Sequence, residues 1–289
     1  MDVPVLRVIR PATVAEALAQ LAAGPDARPI AGGTDLMVQL RDGRRSAACL
    51  VDLDALGLAG IRRTAAGLEI GAATPMDRIA ADPDVRGAFP ALAAAARLVG
   101  AWPIQCRATI GGNLANASPA ADTAPALLIA GALLELASRE GARMVPVSEF
   151  FLGPGRSELR PGELIVSVQL PIAPPAAGVR VVERFVKVGP RREQVIAVVS
   201  LAGRAEVTEG GALASVRLAL GSVAPVPVRA PHAEAALRGK RPDAASRRAA
   251  AAALERDIAP IDDVRAPASY RRIAAAVLLD RFLTEVGRG

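Results

Sequence analysis

The chain of 289 residues is 52% hydrophobic, enough to bury a sizeable core without a metal or disulfide staple. Two cysteines, Cys49 and Cys106, fall short of the roughly four ligands that a structural zinc or an iron–sulfur cluster takes, so any such centre belongs on another chain. The net charge of +6 comes from scattered arginines, with one Trp and one Tyr for stacking, and this argues against a nucleic-acid-binding module.

Residues Met1 to Arg10 lack the basic-then-apolar order of a signal peptide and read as a short strand near Leu6–Ile9. With the free thiols, this leads to a cytoplasmic expectation. A helix over Thr13–Leu21, a strand into Ile30, a helix after Thr34 and a strand at Cys49–Leu53 make a small α/β unit, assigned to residues 1–56. Over residues 57–173 the rhythm changes to short strands at Gly60–Arg63, Leu68–Gly71, Ala132–Ala137 and Leu164–Leu170, with helices at Pro75–Ala81 and Pro90–Val99. The longest apolar run, Ala124 to Leu134, is shorter than the roughly 20 residues that span a bilayer, so no membrane span is expected. Pro171 to Gly178 is the best linker candidate. Residues 178–289 then read as three strands (Val179–Val188, Val195–Val207, Ala214–Leu220) followed by three helices (Pro231–Leu237, Ala244–Ile258, Ser269–Val286). The whole reads as an α+β protein.

Two glycine turns carry the chemistry. In Ile30-Ala31-Gly32-Gly33-Thr34-Asp35-Leu36 a glycine pair separates strand from helix, where a backbone with positive φ presents bare N–H groups to an anion. Thr34 is placed to cap the helix, and Asp35 is a first-turn partner of its dipole. Taken alone, such a pair is also an ordinary strand–helix turn. The second turn, Thr109-Ile110-Gly111-Gly112-Asn113, leads into a polar stretch where Ser118 and Pro119 read as N-cap and first residue of a helix. Two neutral, N–H-rich turns can converge on one pyrophosphate. The Rossmann spacing is absent because Gly32 and Gly33 are adjacent, and the one Gly-Lys pair, Gly239-Lys240, precedes Arg241 rather than Ser or Thr.

Beyond these turns, Ser118-Pro119-Ala120-Ala121-Asp122, Pro161-Gly162-Glu163-Leu164-Ile165, the segment Phe185 to Glu193 and Ala268-Ser269-Tyr270-Arg271-Arg272 follow in order. With them, essentially the whole chain resembles the FAD-binding medium subunit of the molybdenum hydroxylases, the xanthine dehydrogenase and carbon monoxide dehydrogenase family. The resemblance implies an FAD-binding domain of the PCMH type, built of two α/β subdomains, followed by a C-terminal α+β domain of the carbon monoxide dehydrogenase flavoprotein type. It implies non-covalent FAD held by Ile30, Ala31, Gly32, Gly33, Thr34, Asp35 and Leu36 and by Thr109, Ile110, Gly111, Gly112 and Asn113. Ser118, Asp122, Ile165 and Val99 are further implied contacts, and Lys187 is implied to lie near the flavin. Without the resemblance, Asp122 reads equally as a helix cap, and Lys187 as an outward-facing strand residue.

The implied partners are a large molybdopterin-binding subunit and a small subunit carrying 2Fe–2S clusters, in a dimer of heterotrimers. Electrons would pass from those clusters through FAD to NAD⁺, oxygen or a quinone. Two departures stand out: Ile104-Gln105-Cys106-Arg107 replaces the Ile-Arg-Asn-Arg of many members, removing a charge expected beside the cofactor, and Val99 stands where a larger apolar contact is common. No metal site and no catalytic side chain are expected. His232, the sole histidine, reads as structural, Cys106 as a small packed residue, and Trp102 and Tyr270 as packing residues. A stand-alone FAD oxidase and a non-catalytic assembly subunit remain as alternatives.

Overall fold

The computed structural model describes residues 7–24, 26–191 and 193–288, so the expectations for Met1–Leu6 and for Arg192 lie outside the described residues. The first unit comprises β1 (Arg7–Ile9), α1 (Val14–Ala22), β2 (Ala27–Ile30), α2 (Leu36–Arg41) and β3 (Cys49–Asp52). Its strands form a parallel sheet in the order β1-β3-β2, with Arg7 and Ala27 both beside Cys49. At the start of α1, Thr13 Oγ1 accepts the Glu16 N–H (3.2 Å) and Glu16 Oε2 accepts the Ala12 N–H (2.8 Å), satisfying donors that the helix itself leaves orphaned. The helix buries Ala17, Leu18 and Leu21 in a small core shared with Val51 and Leu164.

The middle unit is built on an antiparallel sheet, order β4-β5-β10-β6-β7. Its strands are β4 (Ile61–Thr64), β5 (Gly67–Gly71), β6 (Leu133–Ser138), β7 (Gly141–Pro146) and β10 (Leu164–Pro171). Between β5 and β6 run α3 (Met76–Ala81), α4 (Pro83–Ala88), α5 (Pro90–Arg97), α6 (Trp102–Gln105), α7 (Ile110–Ala115) and α8 (Thr123–Ala130). Helix α9 (Val147–Phe150) and the hairpin of β8 (Phe151–Gly153) and β9 (Arg156–Ser157) follow β7. Sequence periodicity marks α3 and α5 but passes over the rest. Helices α6 and α9, four residues each, are too short to display a 3.6-residue period, and glycines interrupt the pattern in α4 and α7. Every residue of α8 is buried, so it has no polar face to define a stripe. The long apolar run is therefore two elements: Gly131 ends α8 in the left-handed conformation (φ 68°), and β6 begins two residues later at Leu133.

The C-terminal unit is a four-stranded antiparallel sheet, order β11-β12-β13-β14, of β11 (Val179–Val188), β12 (Val199–Thr208), β13 (Leu213–Gly221) and β14 (Val228–Arg229). It is covered by α10 (Pro231–Leu237), α11 (Ala244–Leu254) and α12 (Ala268–Arg288). Gly203 of β12 lies under Phe282 of α12, where a Cβ would sit 2.7 Å from the ring. Strand β12 starts at Val199 rather than at Val195, because Gln194 takes a positive φ (49°) and its N–H turns to the Gly100 carbonyl (2.9 Å). The sheet docks on the middle unit through polar pins. Glu183 Oε1 accepts the Ala91 N–H (3.0 Å), the Ser222 N–H donates to Pro119 O (2.9 Å), and Arg217 Nη1 donates to Ile129 O (3.1 Å). Among the described residues, no helix is long and apolar enough to cross a membrane, and no group of His, Cys, Asp and Glu could hold a metal ion.

Candidate functional site

A cleft of about 550 Å³ opens where the three units meet, with walls from residues 28–45, from residues 99–122 and from Gln194, Val195 and Ile196. All of Ile30, Ala31, Gly32, Gly33, Thr34, Asp35 and Leu36 line it, as do Val99, Thr109, Gly112, Asn113, Ser118 and Asp122.

The first turn needs its glycines for two different reasons. Gly33 has φ 69°, and Gly32 lies so close to the next wall that a Cβ would stand 1.7 Å from the Arg107 carbonyl oxygen. Among the described residues, the N–H groups of Ala31, Gly32, Gly33, Thr34 and Asp35 donate to no protein acceptor. Thr34 does not cap the following helix: the N-cap position of α2 is Asp35, whose carboxylate turns to Gln39 Nε2 and makes no cap bond. Gln39 also donates to Asn116 Oδ1 (3.0 Å), which ties the first unit to the second.

The second turn differs from the first. It is the opening of α7, with Thr109 as N-cap accepting the Gly112 N–H (3.1 Å). Three more of its N–H groups are engaged, Ile110 to Thr74 O (3.1 Å), Gly111 to Ala72 O (2.8 Å) and Asn113 to Thr109 O (2.9 Å), and that of Thr109 alone in this turn has no acceptor among the described residues. The expected pair of bare N–H turns is thus one such turn and one closed helix start. Ile110 and Gly111 are buried behind the cleft wall, and a Cβ on Gly111 would meet Ala72 Cβ at 2.7 Å. What this wall offers is side chains: Asn113 Oδ1 accepts the Thr123 hydroxyl (2.6 Å), leaving its amide donors free among the described residues. Ser118 is not a helix cap, because its Oγ accepts the Ala120 N–H (3.2 Å) in a turn and the helix starts only at Thr123.

Asp122 occupies the N-cap position of α8 without making a cap bond. Its Oδ2 accepts a hydrogen bond from Lys187 Nζ at 2.6 Å, and Lys187 also donates to Leu98 O (3.0 Å). Lys187 therefore faces inward from β11, and its side chain is only 4% exposed against 9% for Asp122. Asp122 Oδ1 is buried and has no partner. Burial pushes the Asp122 carboxyl up to about 6, against the opposing pull of Lys187. Lys187 touches the cleft through Asp122, and Ile165 lies buried in β10 opposite Leu136, behind the wall.

Several wall residues escaped the sequence reading: Arg28, Gln39, Arg45, Asn116 and the Gln194–Ile196 segment. The i, i+4 spacing of Asp35 and Gln39 was a usable signal. No local pattern pointed to Gln194, which reaches the cleft from the connection between β11 and β12. Gln105 and Cys106 lie off the cleft: Gln105 Nε2 donates to Arg97 O (2.7 Å), pinning α6 to the end of α5. The Cys106 thiol is pushed up, first by desolvation and then by the nearby Asp77 carboxylate. His232 pairs with Asp257 (2.6 Å), whose carboxylate also accepts the N–H groups of His232 and Ala233 at the start of α10, a structural arrangement.

An elongated cofactor with an anionic middle and an N–H or O–H group beyond it fits these partners: free backbone N–H donors on one wall, neutral amide and hydroxyl groups on the next, and an unpartnered buried carboxylate oxygen, an acceptor, beyond them. Residues 4–173 match the family model described as FAD binding domain in molybdopterin dehydrogenase, and residues 184–286 match that of the CO dehydrogenase flavoprotein C-terminal domain. The chain is 33% identical over 279 residues to the putative xanthine dehydrogenase FAD-binding subunit of Escherichia coli K12, covering 96% of this chain and 94% of that one. To the carbon monoxide dehydrogenase medium chain of Afipia carboxidovorans it is 32% identical over 274 residues, covering 94% and 93%. A chain in the crystal structure of Cu,Mo-CO dehydrogenase, cyanide-inactivated form, superposes with a TM-score of 0.93 at 30% identity, covering 100% of this chain and 99% of the other. Matched along nearly its whole length in both sequence and fold, this chain belongs to the family of FAD-binding medium subunits of xanthine and carbon monoxide dehydrogenase-type molybdenum hydroxylases.

Proposed function

We propose that this chain holds FAD non-covalently in the cleft and relays electrons from the 2Fe–2S clusters of a small partner subunit to NAD⁺, oxygen or a quinone. A large molybdopterin-binding subunit completes the complex, which assembles as a dimer of heterotrimers in the cytoplasm, a compartment that suits the free Cys49 and Cys106. Residues 1–56 and 57–173 act as the two FAD-binding subdomains, and residues 178–289 as the C-terminal domain. The single observation that carries this reading is the meeting, in one cleft, of five N–H groups without protein acceptors and one buried Asp122 oxygen without a donor.

FAD, when bound, supplies the redox chemistry. The chain supplies the rest. Ala31 to Asp35 offer backbone donors to a diphosphate, aided by Thr34 and Asn113 side chains, with no lysine or metal ion in the donor set. Asp122, held by Lys187, offers an acceptor to an N–H or O–H of the cofactor. Val99, Val195 and Ile196 give an apolar wall that excludes water. Ile110, Gly111 and Ile165 support the wall from behind rather than touching the cofactor.

Isolation of the native complex through a tag on this chain, followed by native mass spectrometry, tests the reading. Flavin should dissociate with this chain while iron and molybdenum stay with the other two. An intact complex in which this chain carries no flavin would contradict it.

A further inference from the structure

The first unit contains six arginines, and three of them have a carboxylate beside them. Arg10 pairs with Asp52 (3.3 Å), and Arg41 and Arg44 both pair with Asp42 (3.4 and 3.1 Å). Arg28 and Arg45 are different: both line the cleft, and neither forms an ion pair among the described residues. Arg28 sits in β2, two residues before the strand ends at Ile30, and its Nε is buried with no acceptor. A buried guanidinium donor left without a partner is costly, and this one stands on the wall of an anion-shaped cleft.

The cleft divides its donors by wall. Neutral backbone N–H groups lie in the turn after β2, and the Asp122–Lys187 pair lies on the walls from the other two units. Positive charge without a carboxylate partner lies on the wall of the first unit alone, at Arg28 before the turn and Arg45 beyond α2. A mononucleotide flavin carries one phosphate, which the turn can serve by itself. A dinucleotide carries a second phosphate leading to an adenosine.

We propose that Arg28, with Arg45 in support, pairs with the adenosine-side phosphate and so selects a dinucleotide flavin over a mononucleotide one. This rests on the cleft being the flavin site. A planar guanidinium suits a phosphate oxygen pair, and its partial burial keeps water from competing for it.

Titration of the flavin-free chain with FAD, FMN and riboflavin, followed by flavin fluorescence, tests the inference. Arg28→Met keeps the aliphatic stem and removes the donors. It should weaken FAD binding about tenfold or more while leaving FMN and riboflavin unchanged, so that the preference for FAD collapses. ADP should compete with FAD in the wild type and lose that advantage in the variant. Arg28→Lys should recover part of the preference. Equal weakening for all three flavins, or no weakening for FAD, would overturn the assignment. Should Arg28→Met melt early without ligand, Arg45→Ala at its exposed position must show the same split on a smaller scale, and its absence counts equally against the proposal. A folded wild type that binds none of the three flavins would instead reject the cleft as the flavin site, and the inference with it.

Discussion

Asp122 gives one carboxylate oxygen to the Lys187 ammonium at 2.6 Å and keeps the other buried without a partner. The pair crosses from the start of α8 to β11, so it joins the middle unit to the C-terminal sheet as well as facing the cleft. Removing one member leaves the other charge buried, which typically costs about 3–5 kcal/mol. Lys187→Met should therefore lower the unfolding free energy of the flavin-free chain by about that amount, read from the denaturant midpoint. Asp122→Asn should weaken FAD by about tenfold while leaving the chain folded. A Lys187→Met chain as stable as wild type would show that the pair is not closed in solution.

The pH dependence of stability has a definite sign. The Asp122 carboxyl is raised from 3.8 to about 6, chiefly by burial, so the folded chain holds this proton more tightly than the unfolded chain. Its contribution is therefore greatest below the unfolded value and declines as pH rises through about 6, by up to roughly 3 kcal/mol. Denaturation of flavin-free wild type and Asp122→Asn across this range should show the wild type falling more steeply, because the buried Glu183 carboxyl, also raised by burial, contributes a decline common to both. Parallel curves would remove Asp122 as a source of the decline.

The glycines of the two turns should separate by function. Gly111→Ala places a methyl 2.7 Å from Ala72 Cβ in the core and should cost about 1–3 kcal/mol of stability. Gly112→Ala meets only Thr109 Oγ1 at 3.0 Å and should be nearly silent in thermal unfolding. Equal melting temperatures for the two variants would contradict the placement of Gly111 behind the wall.

Gly203→Ala probes the C-terminal unit by itself. Its methyl would press on the Phe282 ring at 2.7 Å and loosen α12 from the sheet, costing about 1–3 kcal/mol. FAD affinity should not change, because neither residue lines the cleft. A parallel loss of affinity, measured by titration, would mean that the helix supports the site after all.

Much of this fold was legible because its elements carry local signals. Thr13 with Glu16, the alternation in β5 and β10, and the proline-opened α5 all announce themselves. What escaped depends on distant partners. Helix α8 is apolar on every side because it lies inside the core, and α7 exists because Thr109 caps a turn that glycines alone suggested was open. The first glycine turn was readable from its residues. That the N–H groups of the second are engaged by Ala72 and Thr74, and that Arg28 and Gln194 reach the same cleft, follows only from how strands far apart in sequence come together.

The most direct measurement is equilibrium dialysis of the flavin-free chain against FAD, with Gly32→Ala alongside. In that variant a methyl would meet the Arg107 carbonyl oxygen at 1.7 Å and force the first turn off the second wall. The wild type should saturate at one FAD per chain, and the variant should retain little or none. A folded wild type that takes up no FAD, or a Gly32→Ala chain that binds it as tightly, would contradict the assignment of this cleft.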